Sequence, residues 1–357
     1  MVDLSLVGPA SRATRILADY GAEVVKVLPG GRAIGEMSVP PFYAYSAMRY
    51  MKQVNIDLKS PEGLDELKTL VSSADVLIES FRPGVTKRLG IDFESISKVN
   101  PAIIYCSTTG FGQNGERSSW VGHDINYLAC GGFLAMSEPT DQLRPPLAGA
   151  TIADGAAGGM QAAISILAAL FRRTSTHEGT YLDVSITNGV LWLTSLVIDE
   201  HLAIGSDPEF GHDVLSGKYA CYGIYKTKDN KWLSVGAIEK KFFSNLCGFL
   251  GCDDLCDLQY IDEAQGQVRD VLSRAFETRN RDEWVELLSS NDTCVAPVLT
   301  VREICDDQHF KARGLFQEAL DDSGNRFTQL APLLAGMRES ESIPDRVDEH
   351  CTSGSDR

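Results

Sequence analysis

The sequence predicts an α/β protein, with a large domain built on a parallel, Rossmann-like sheet and a smaller α+β domain. Short apolar strands alternate with helical segments in the first third of the chain. A polar, glycine-containing stretch at 205–218 then separates this part from a hairpin that is followed by helices. Strand–helix alternation is typical of a parallel sheet covered by helices. With 357 residues, the chain is long enough for more than one domain.

The predicted large domain consists of short apolar strands with helices between them. Ser60-Pro61-Glu62 begins one helix, because serine is a favoured N-cap and proline fits the first helical turn. Gly158-Gly159 lies near the start of a long apolar helix and allows a ligand or another helix to approach closely. We predict strands at 2–6, 22–28, 53–58, 75–79, 102–107 and 181–185, and helices at 10–20, 60–73, 155–173 and 188–203.

The predicted small domain begins with a hairpin around the polar turn Lys228-Asp229-Asn230. Its strands are predicted at 219–227 and 231–236, its helices at 240–250, 265–278 and 281–290, and a last strand at 294–299. The stretch from Glu339 is charged, rich in serine and almost free of large apolar residues, which is typical of disorder. We therefore expect a large domain over 1–190, a linker helix and loop over 191–218, a small domain over 219–314 and a disordered tail over 339–357.

The net charge of −16 argues against nucleic-acid binding through phosphate contacts. No apolar run approaches the roughly 20 residues of a membrane span, and the N-terminus lacks a basic region followed by an apolar core. The terminal Ser355-Asp356-Arg357 is not a peroxisomal Ser-Lys-Leu signal. We expect a soluble, intracellular protein of the cytoplasm, with mitochondria as the alternative.

The nine cysteines are odd in number and irregularly spaced, which favours free thiols in a reducing compartment. Cys247, Cys252 and Cys256 cluster, but they form no Cys-x-x-Cys pair and have no nearby histidine. The spacing of ligands in structural zinc sites is therefore not met, and we predict no metal site.

A glycine-rich segment, Gly110-Phe111-Gly112-Gln113-Asn114-Gly115, follows a predicted strand and matches a dinucleotide-binding pattern. No helix is predicted directly after it, and it lies past residue 100 rather than in the first strand–helix unit. Ligands of parallel sheets gather at the carboxyl ends of the strands. We therefore expect the turns at 78–82 and 105–112 to face a site, without NAD binding.

Two residues are the main candidates for acid–base catalysis. His123 lies between Gly122 and Asp124, and Asp154 opens the small-residue helix. A racemase without a cofactor needs two bases on opposite faces of one carbon, both working near neutral pH. Histidine does so unaided, whereas aspartate requires a pKa raised by burial. The alternatives are a structural histidine and an aspartate that caps its helix.

Six segments, at 17–27, 56–59, 81–85, 122–127, 235–239 and 294–299, occur in the order and spacing of a known family. They resemble the alpha-methylacyl-CoA racemases, within the family III CoA-transferase superfamily. The Gly-His-Asp-Ile-Asn-Tyr run resembles the racemase branch rather than the transferases. The resemblance implies the family III CoA-transferase fold, an interlocked homodimer, and a return of the chain to the large domain at about 315–340.

The resemblance also implies the catalytic residues. His123 and Asp154 are the two bases, and the backbone N–H of Asp124 holds the thioester oxygen as it becomes an enolate. Glu239, in the small domain, orients the imidazole and stabilises its charged form, as a triad carboxylate does. The alternative interpretation of Glu239 is a carboxylate in the first turn of a helix. Either subunit of the dimer can supply Glu239 to the site.

For CoA, the resemblance implies contacts from three turns and two arginines. Arg82 and Arg88 can pair with phosphates bidentately. The family places an arginine just after the strand at 22–28, whereas this chain reaches Arg32 only after Leu28-Pro29-Gly30-Gly31, so Arg32 either replaces that contact or the contact is lost. The implied CoA-binding residues are Arg32, Ile56, Asp57, Leu58, Lys59, Ser80, Phe81, Arg82, Arg88, Gly122, Ile125, Asn126 and Tyr127.

The predicted function is a racemase of 2-methyl-branched acyl-CoA thioesters in branched-chain fatty acid or sterol side-chain metabolism, with no cofactor beyond the CoA moiety of its substrate. One alternative is a family III CoA transferase in which Asp154 is the acyl-accepting nucleophile. The other is a catalytically silent protein that binds CoA esters, because the segment at 214–220 has fewer glycines than the family pattern.

Overall fold

The structure is a computed structural model in which residues 1–29, 51–139, 144–320 and 326–332 are described. Arg32 and the predicted disordered tail at 339–357 lie outside the described residues. The chain divides into two compact units. The first contains the described residues of Met1–Phe133, Leu147–Ile198 and His309–Arg357, and the second those of Leu134–Pro146 and Asp199–Gln308. The second unit thus begins before residue 219 and also takes in a segment from the first half of the chain.

The first unit is built on a sheet of six described strands, all parallel. The strand order is β3-β2-β1-β4-β5-β6, the order of a doubly wound Rossmann sheet. This confirms the predicted fold class. The strands are β1 (Val2–Asp3), β2 (Val24–Pro29), β3 (Met51–Ile56), β4 (Val76–Glu79), β5 (Ile104–Thr109) and β6 (Thr180–Ser185).

Helices cover both faces of this sheet. The described helices are α1 (Pro9–Asp19), α2 (Pro61–Ser72), α3 (Val85–Leu89), α4 (Phe93–Ile96), α5 (Asp124–Cys130), a π-helix (Ala153–Met160), α6 (Gln161–Thr176) and α7 (Ile186–Leu193). Alternate strand residues point to opposite faces. Ile104 and Cys106 therefore pack with α1 and α6, whereas Ile103 and Tyr105 pack with α2.

A buried ion pair fixes α1 to the sheet. The Lys26 ammonium lies 2.7 Å from Asp3 Oδ2, with both side chains fully buried. Lys26 Nζ also donates to Ser11 Oγ at 2.8 Å, and Thr14 Oγ1 donates to Asp3 Oδ2 at 2.8 Å. Because Ser11 and Thr14 belong to α1, this network holds the helix that carries Arg12 in register with β1 and β2.

Two predicted helices are corrected by the structure. The helix predicted at 155–173 begins at Ala153 as a π-helix and continues as α6. The helix predicted at 188–203 is two helices, α7 and α8 (Ser195–Ile204). Thr194 ends α7, and its hydroxyl donates to the Val190 carbonyl at 3.1 Å, which competes with helical hydrogen bonding.

The combined helix Ala153–Thr176 is long and apolar enough to span a membrane by length and composition alone. The sequence predicts no run of this length, because small residues rather than large apolar ones make up much of it. One face of the helix, with Ala162, Ala163 and Ile166, is buried in the core beside the sheet. In the described fold this helix therefore packs on the core of the first unit with one face, while Ile164 and Phe171 on the rest of its surface are exposed.

The second unit contains a three-stranded antiparallel sheet, β7 (Tyr222–Lys226), β8 (Trp232–Gly236) and β9 (Val295–Pro297). The predicted hairpin is confirmed. Its core combines these strands with three helices, each near its predicted position: α9 (Lys240–Leu250), α10 (Gln265–Phe276) and α11 (Arg281–Leu288).

Several shorter elements lie in the rest of the described chain. They are the 3₁₀ turns Val214–Ser216, Asp253–Leu258 and Asp262–Ala264, the helices α12 (Val301–Asp306) and α13 (Gln308–Ala312), and the antiparallel hairpin of β10 (Phe316–Leu320) and β11 (Arg326–Leu330). This hairpin belongs to the first unit.

Candidate active site

The Gly-His-Asp-Ile-Asn-Tyr segment forms a rigid turn at the start of α5. His123 is the extended residue before the helix, and its N–H donates to Asn126 Oδ1 at 3.0 Å. In return, the His123 carbonyl accepts from the Asn126 N–H at 2.8 Å. The His123 side chain is exposed. The turn therefore holds the backbone of His123 while its imidazole stays accessible to a substrate.

Tyr127 fixes the back of this turn. Its hydroxyl donates to the Gly122 carbonyl at 2.6 Å, and its ring packs edge-on against Phe111 with centroids 5.4 Å apart. A Cβ atom on Gly110 would lie 2.5 Å from the Tyr127 ring. The glycine-rich loop after β5 is thus a support for the His123 turn, and no helix follows it directly in the described residues.

Asp154 lies in the first turn of the π-helix. The residue that caps this helix is Ile152, so Asp154 does not act as the N-cap. π-Helices are rare and are frequent at functional sites. A Cβ atom on Gly158 would lie 2.7 Å from Pro9 Cβ, and one on Gly159 would lie 2.9 Å from Arg12 Cβ. The glycines predicted to permit close approach therefore admit α1, rather than a ligand.

The structure brings Asp124 and Asp154 together. The Asp154 N–H donates to Asp124 Oδ1 at 2.8 Å, which ties α5 to the π-helix. Burial raises the pKa of the Asp154 carboxyl, and the Asp124 charge raises it further. Arg12 and His123 act on the same carboxyl in the opposite direction. The net shift is upward, which is the direction that a base working near neutral pH requires.

Arg12 is a residue of this site that sequence reasoning missed. Its Nη2 donates to Thr151 Oγ1 at 2.8 Å, and its Nε is buried without a hydrogen-bond partner among the described residues. Its charge lowers the pKa of Asp154. No motif marks Arg12, because its neighbours Thr151 and Asp154 are distant in sequence and meet it only through the packing of α1.

Glu79, at the end of β4, is a second missed residue. Its side chain is buried, and Oε2 accepts from the Phe81 N–H at 2.7 Å. Burial raises the pKa of Glu79 to about 7, while hydrogen bonds from Ser107 and Phe81 oppose the shift and the Asp183 charge adds to it. Glu79 therefore holds the turn that carries Ser80 and Arg82.

The predicted CoA-binding residues of the described chain lie at the carboxyl ends of β3 and β4, in α3 and around α5. The Ile56 side chain is buried in the core, which leaves only its backbone to contact a ligand. Tyr127 is buried and contributes by positioning Gly122. The residues with exposed side chains are Asp57, Lys59, Ser80, Arg82, Arg88, Ile125 and Asn126, whereas Leu58, Phe81 and Gly122 are partly buried. Their contacts with CoA stay predictions.

Glu239 belongs to the second unit. It is the residue before α9, its side chain is exposed, and it makes no capping hydrogen bond. The carboxylate is thus not engaged in capping its helix. Its contact with His123 stays a prediction.

No group of three or more potential metal ligands occurs within residues 1–29, 51–139, 144–320 and 326–332. The eight described cysteines are free thiols. Cys252 Sγ contacts the Cys247 carbonyl at 3.6 Å, a local contact between the end of α9 and the next turn.

Comparison with known proteins places these residues in a family. A family model described as CoA-transferase family III matches residues 1–346. The chain is 34% identical over 322 residues to the alpha-methylacyl-CoA racemase of Homo sapiens, covering 88% of this chain and 81% of that protein. It is 28% identical over 333 residues to the succinyl-CoA:glutarate CoA-transferase of Homo sapiens, covering 89% of this chain and 75% of that protein.

A solved structure supports the same assignment. The crystal structure of a CAIB/BAIF family protein from Brucella suis matches with a TM-score of 0.78 and 26% identity, covering 94% of this chain and 91% of that one. The parallel six-stranded sheet and the match along almost the whole sequence indicate the same family. The chain belongs to the CoA-transferase family III, a family of enzymes.

Proposed function

We propose that the protein interconverts (2R)- and (2S)-2-methyl-branched acyl-CoA thioesters by exchange of the α-proton through an enolate. The observation that carries this proposal is the pair formed by the His123 imidazole and the Asp154 carboxyl. His123 acts electrostatically on Asp154, and the pKa of Asp154 is raised, chiefly by burial. The 34% identity to an alpha-methylacyl-CoA racemase supports the same reaction. The substrates would belong to branched-chain fatty acid or sterol side-chain metabolism.

The proposed reaction needs two proton transfers and no cofactor beyond the CoA moiety. The thioester carbonyl acidifies the hydrogen on C2. One of the two groups removes this proton, and the electron pair of the C–H bond enters the enolate. The protonated form of the other group then returns a proton to the opposite face of C2, which inverts its configuration.

The enolate oxygen requires a donor that is in place before the reaction. Asp124 is the first residue of α5, so its N–H has no helical carbonyl four residues earlier. The Asp124 carboxylate is held by the Asp154 N–H, which fixes the orientation of this turn. In this proposal the Asp124 N–H binds the enolate oxygen, an interaction worth roughly 10²–10³ in rate.

The CoA moiety is proposed to bind at the carboxyl ends of β3 and β4. Arg82 and Arg88 have exposed guanidinium groups suited to phosphates. The acidic chain, with a net charge of −16, must gather its cations locally for an anionic ligand. Glu79 supports the Arg82 turn by accepting from the Phe81 N–H at 2.7 Å.

A CoA transferase is the second candidate. The similarity to a succinyl-CoA:glutarate CoA-transferase, at 28% identity, favours it, as does the Arg12 charge that lowers the pKa of Asp154. An ionised Asp154 would attack the thioester carbonyl and expel the CoA thiolate, giving a mixed anhydride. The thiolate would then attack the Asp154 carbonyl of the anhydride, which releases the former acyl group as a free carboxylate and leaves a thioester between Asp154 and CoA.

The active form is proposed to be a homodimer, in which Glu239 from either subunit orients His123. The helices α6, α7 and α8 expose large apolar side chains: Phe171 is 79% exposed, Trp192 77% and Leu196 60%. Apolar side chains that form one exposed patch are typical of an interface, and we propose that these three belong to such a patch.

The eight described free thiols support a reducing compartment, for which the cytoplasm is the first choice and mitochondria the second.

The dimer can be tested by sedimentation equilibrium. We expect twice the monomer mass of 38.9 kDa for wild type, and a shift toward the monomer for Trp192→Glu. Lys68→Glu, on the exposed face of α2, is the control for a charge change. A monomeric wild type at micromolar concentration would contradict the dimer.

The reaction is tested by proton NMR of a (2S)-2-methylacyl-CoA in deuterated water. Loss of the α-proton signal together with optical purity is expected for wild type and for the control His309→Ala, an exposed histidine on α13. His123→Ala should lose at least about 10²-fold in racemisation rate. If wild type shows no exchange, the racemase proposal is wrong. Trapping of an acyl-Asp154 intermediate with hydroxylamine then tests the transferase.

A further inference from the structure

Arg12 places a guanidinium at the reacting end of the site. The side chain reaches from α1 to the start of the π-helix, where Nη2 donates to Thr151 Oγ1 at 2.8 Å. Its charge acts on the carboxyl of Asp154, one of the two groups assigned to C2 of the substrate. Arg12 therefore lies where the acyl group, rather than the distant end of CoA, is expected to bind.

The surroundings leave Arg12 incompletely paired. A guanidinium carries five N–H donors. The Arg12 Nε is buried and has no hydrogen-bond partner among the described residues. An unsatisfied buried donor is costly, more so on a charged group. In addition, the positive charge lowers the pKa of Asp154, which opposes the upward shift that a base near neutral pH requires. The opposing charge, and the Nη donors that Thr151 leaves unengaged, have an explanation if an anion of the substrate completes the site.

We propose that Arg12 binds a carboxylate on the acyl group, so that the enzyme prefers acyl-CoA esters with a second carboxyl group close to C2. The carboxylate would accept from the Nη groups of the guanidinium, of which Thr151 engages only one N–H. This replaces the unsubstituted fatty acyl and sterol chains of the proposed function by a dicarboxylic acyl class, and it rests on the proposed α-proton exchange. A CoA phosphate is the other anion that a guanidinium can bind, but the arginines at the carboxyl end of β4 and in α3, Arg82 and Arg88, are the ones placed for phosphates.

Binding of the anion would also change the ionisation of Asp154. Unpaired, Arg12 lowers the pKa of the Asp154 carboxyl. A substrate carboxylate would neutralise this effect and leave burial and the Asp124 charge to raise the pKa further. The correct substrate would thus bring Asp154 closer to the range in which it exchanges protons, whereas a neutral acyl chain would not.

The test compares two esters of matched shape, 2-methylsuccinyl-CoA with the thioester beside the methyl-bearing carbon, and 2-methylbutanoyl-CoA. They differ in a carboxylate that replaces a methyl group. Their dissociation constants, and that of free CoA, are measured by isothermal titration for wild type and Arg12→Met. Arg172→Met, an exposed arginine on α6, is the control for charge. Thr151→Val removes the partner of Arg12 without changing charge.

We expect wild type and Arg172→Met to bind the carboxylate ester about 10- to 100-fold more tightly than the neutral one, as for a charge-assisted hydrogen bond. Arg12→Met should abolish this preference while its affinity for free CoA is unchanged. Thr151→Val should keep the preference, because it keeps the charge. Circular dichroism of each variant establishes that it is folded.

Three results would overturn the proposal. Equal affinity of wild type for the two esters would show that no acyl carboxylate is recognised. Loss of affinity for free CoA in Arg12→Met would show that Arg12 binds a phosphate of CoA. Loss of the preference in Thr151→Val, with the preference kept in Arg12→Met, would show that Arg12 has only a structural role. The titration measures binding, so it is independent of the reaction. If wild type prefers the carboxylate ester but shows no α-proton exchange, the role of Arg12 is supported and the racemase proposal is wrong. If wild type shows exchange but no such preference, the racemase proposal is supported and the role of Arg12 is wrong.

Discussion

The ionisation of Asp154 depends on three neighbouring charges. Burial raises its pKa, the Asp124 carboxylate adds to the shift, and Arg12 and His123 reduce it. A base must be ionised to accept a proton, and its conjugate acid must be able to return one. The balance of these charges therefore decides how readily Asp154 serves in both directions of a racemisation.

We predict that Asp124→Asn lowers the pKa of Asp154. The amide keeps an oxygen that can accept from the Asp154 N–H but removes the negative charge. The acid limb of kcat/KM against pH, measured as exchange of the enantiomer that Asp154 deprotonates, should move to lower pH. Asp65→Asn, an exposed residue on α2, is the control. A limb that stays in place or moves to higher pH would show that Asp124 does not tune this carboxyl.

The π-helix is the element that joins the candidate site to the sheet. It packs against α1 through Gly158 and Gly159, and its first turn presents Asp154. α1 is in turn fixed to β1 and β2 by the buried pair of Lys26 and Asp3. The position of Asp154 therefore depends on close helix packing several residues away from the carboxyl itself.

Gly158→Ala and Gly155→Ala test this dependence within one helix. A Cβ atom at 158 would lie 2.7 Å from Pro9 Cβ, whereas one at 155 meets nothing within 4 Å. We expect Gly158→Ala to lower the free energy of unfolding by about 1–3 kcal/mol, as overpacking does, and to reduce kcat more than it raises KM. Gly155→Ala should leave stability unchanged or raise it by up to about 1 kcal/mol, because alanine is the better helix former and its Cβ meets no neighbour. Equal effects in denaturant titrations would contradict the packing argument.

At the scale of the element, the sequence predicts those helices whose signals are local. The helix predicted at 240–250 matches α9, because an amphipathic pattern is ended by Gly251 in the left-handed conformation. The sequence does not predict α5, and it predicts a helix from residue 155 but not its π form, since both depend on contacts between Asp124, Asp154 and α1. His123 and Asp154 could be selected from motifs. Arg12 could not, because only tertiary packing brings it to Asp154.

At the scale of the whole molecule, the buried carboxyl of Glu79 couples stability to pH. Its pKa is raised to about 7 in the folded protein, chiefly by burial, from the ordinary value of 4.5. The folded state therefore holds this proton more tightly than the unfolded state. The resulting stabilisation is fully present below pH 4.5 and is lost as the pH rises through about 7.

We predict that Glu79→Gln removes this contribution. For wild type, the shift corresponds to roughly 3 kcal/mol of unfolding free energy lost between about pH 4.5 and pH 7. The variant keeps an oxygen for the Phe81 N–H but cannot ionise, so its stability should depend less on pH in this range. Urea titrations at several pH values measure the difference. Glu66→Gln, an exposed residue on α2, is the control, and parallel curves for wild type and Glu79→Gln would contradict the prediction.

The two-base assignment is tested most directly by exchange that starts from each pure enantiomer of a 2-methylacyl-CoA in deuterated water, with His123→Ala and Asp154→Asn compared with wild type. Removal of one base should block exchange of one enantiomer only, and the two variants should block opposite enantiomers. Neither variant should invert configuration, while wild type inverts both. If both variants block the same enantiomer, or if either still inverts, His123 and Asp154 are not bases on opposite faces of C2.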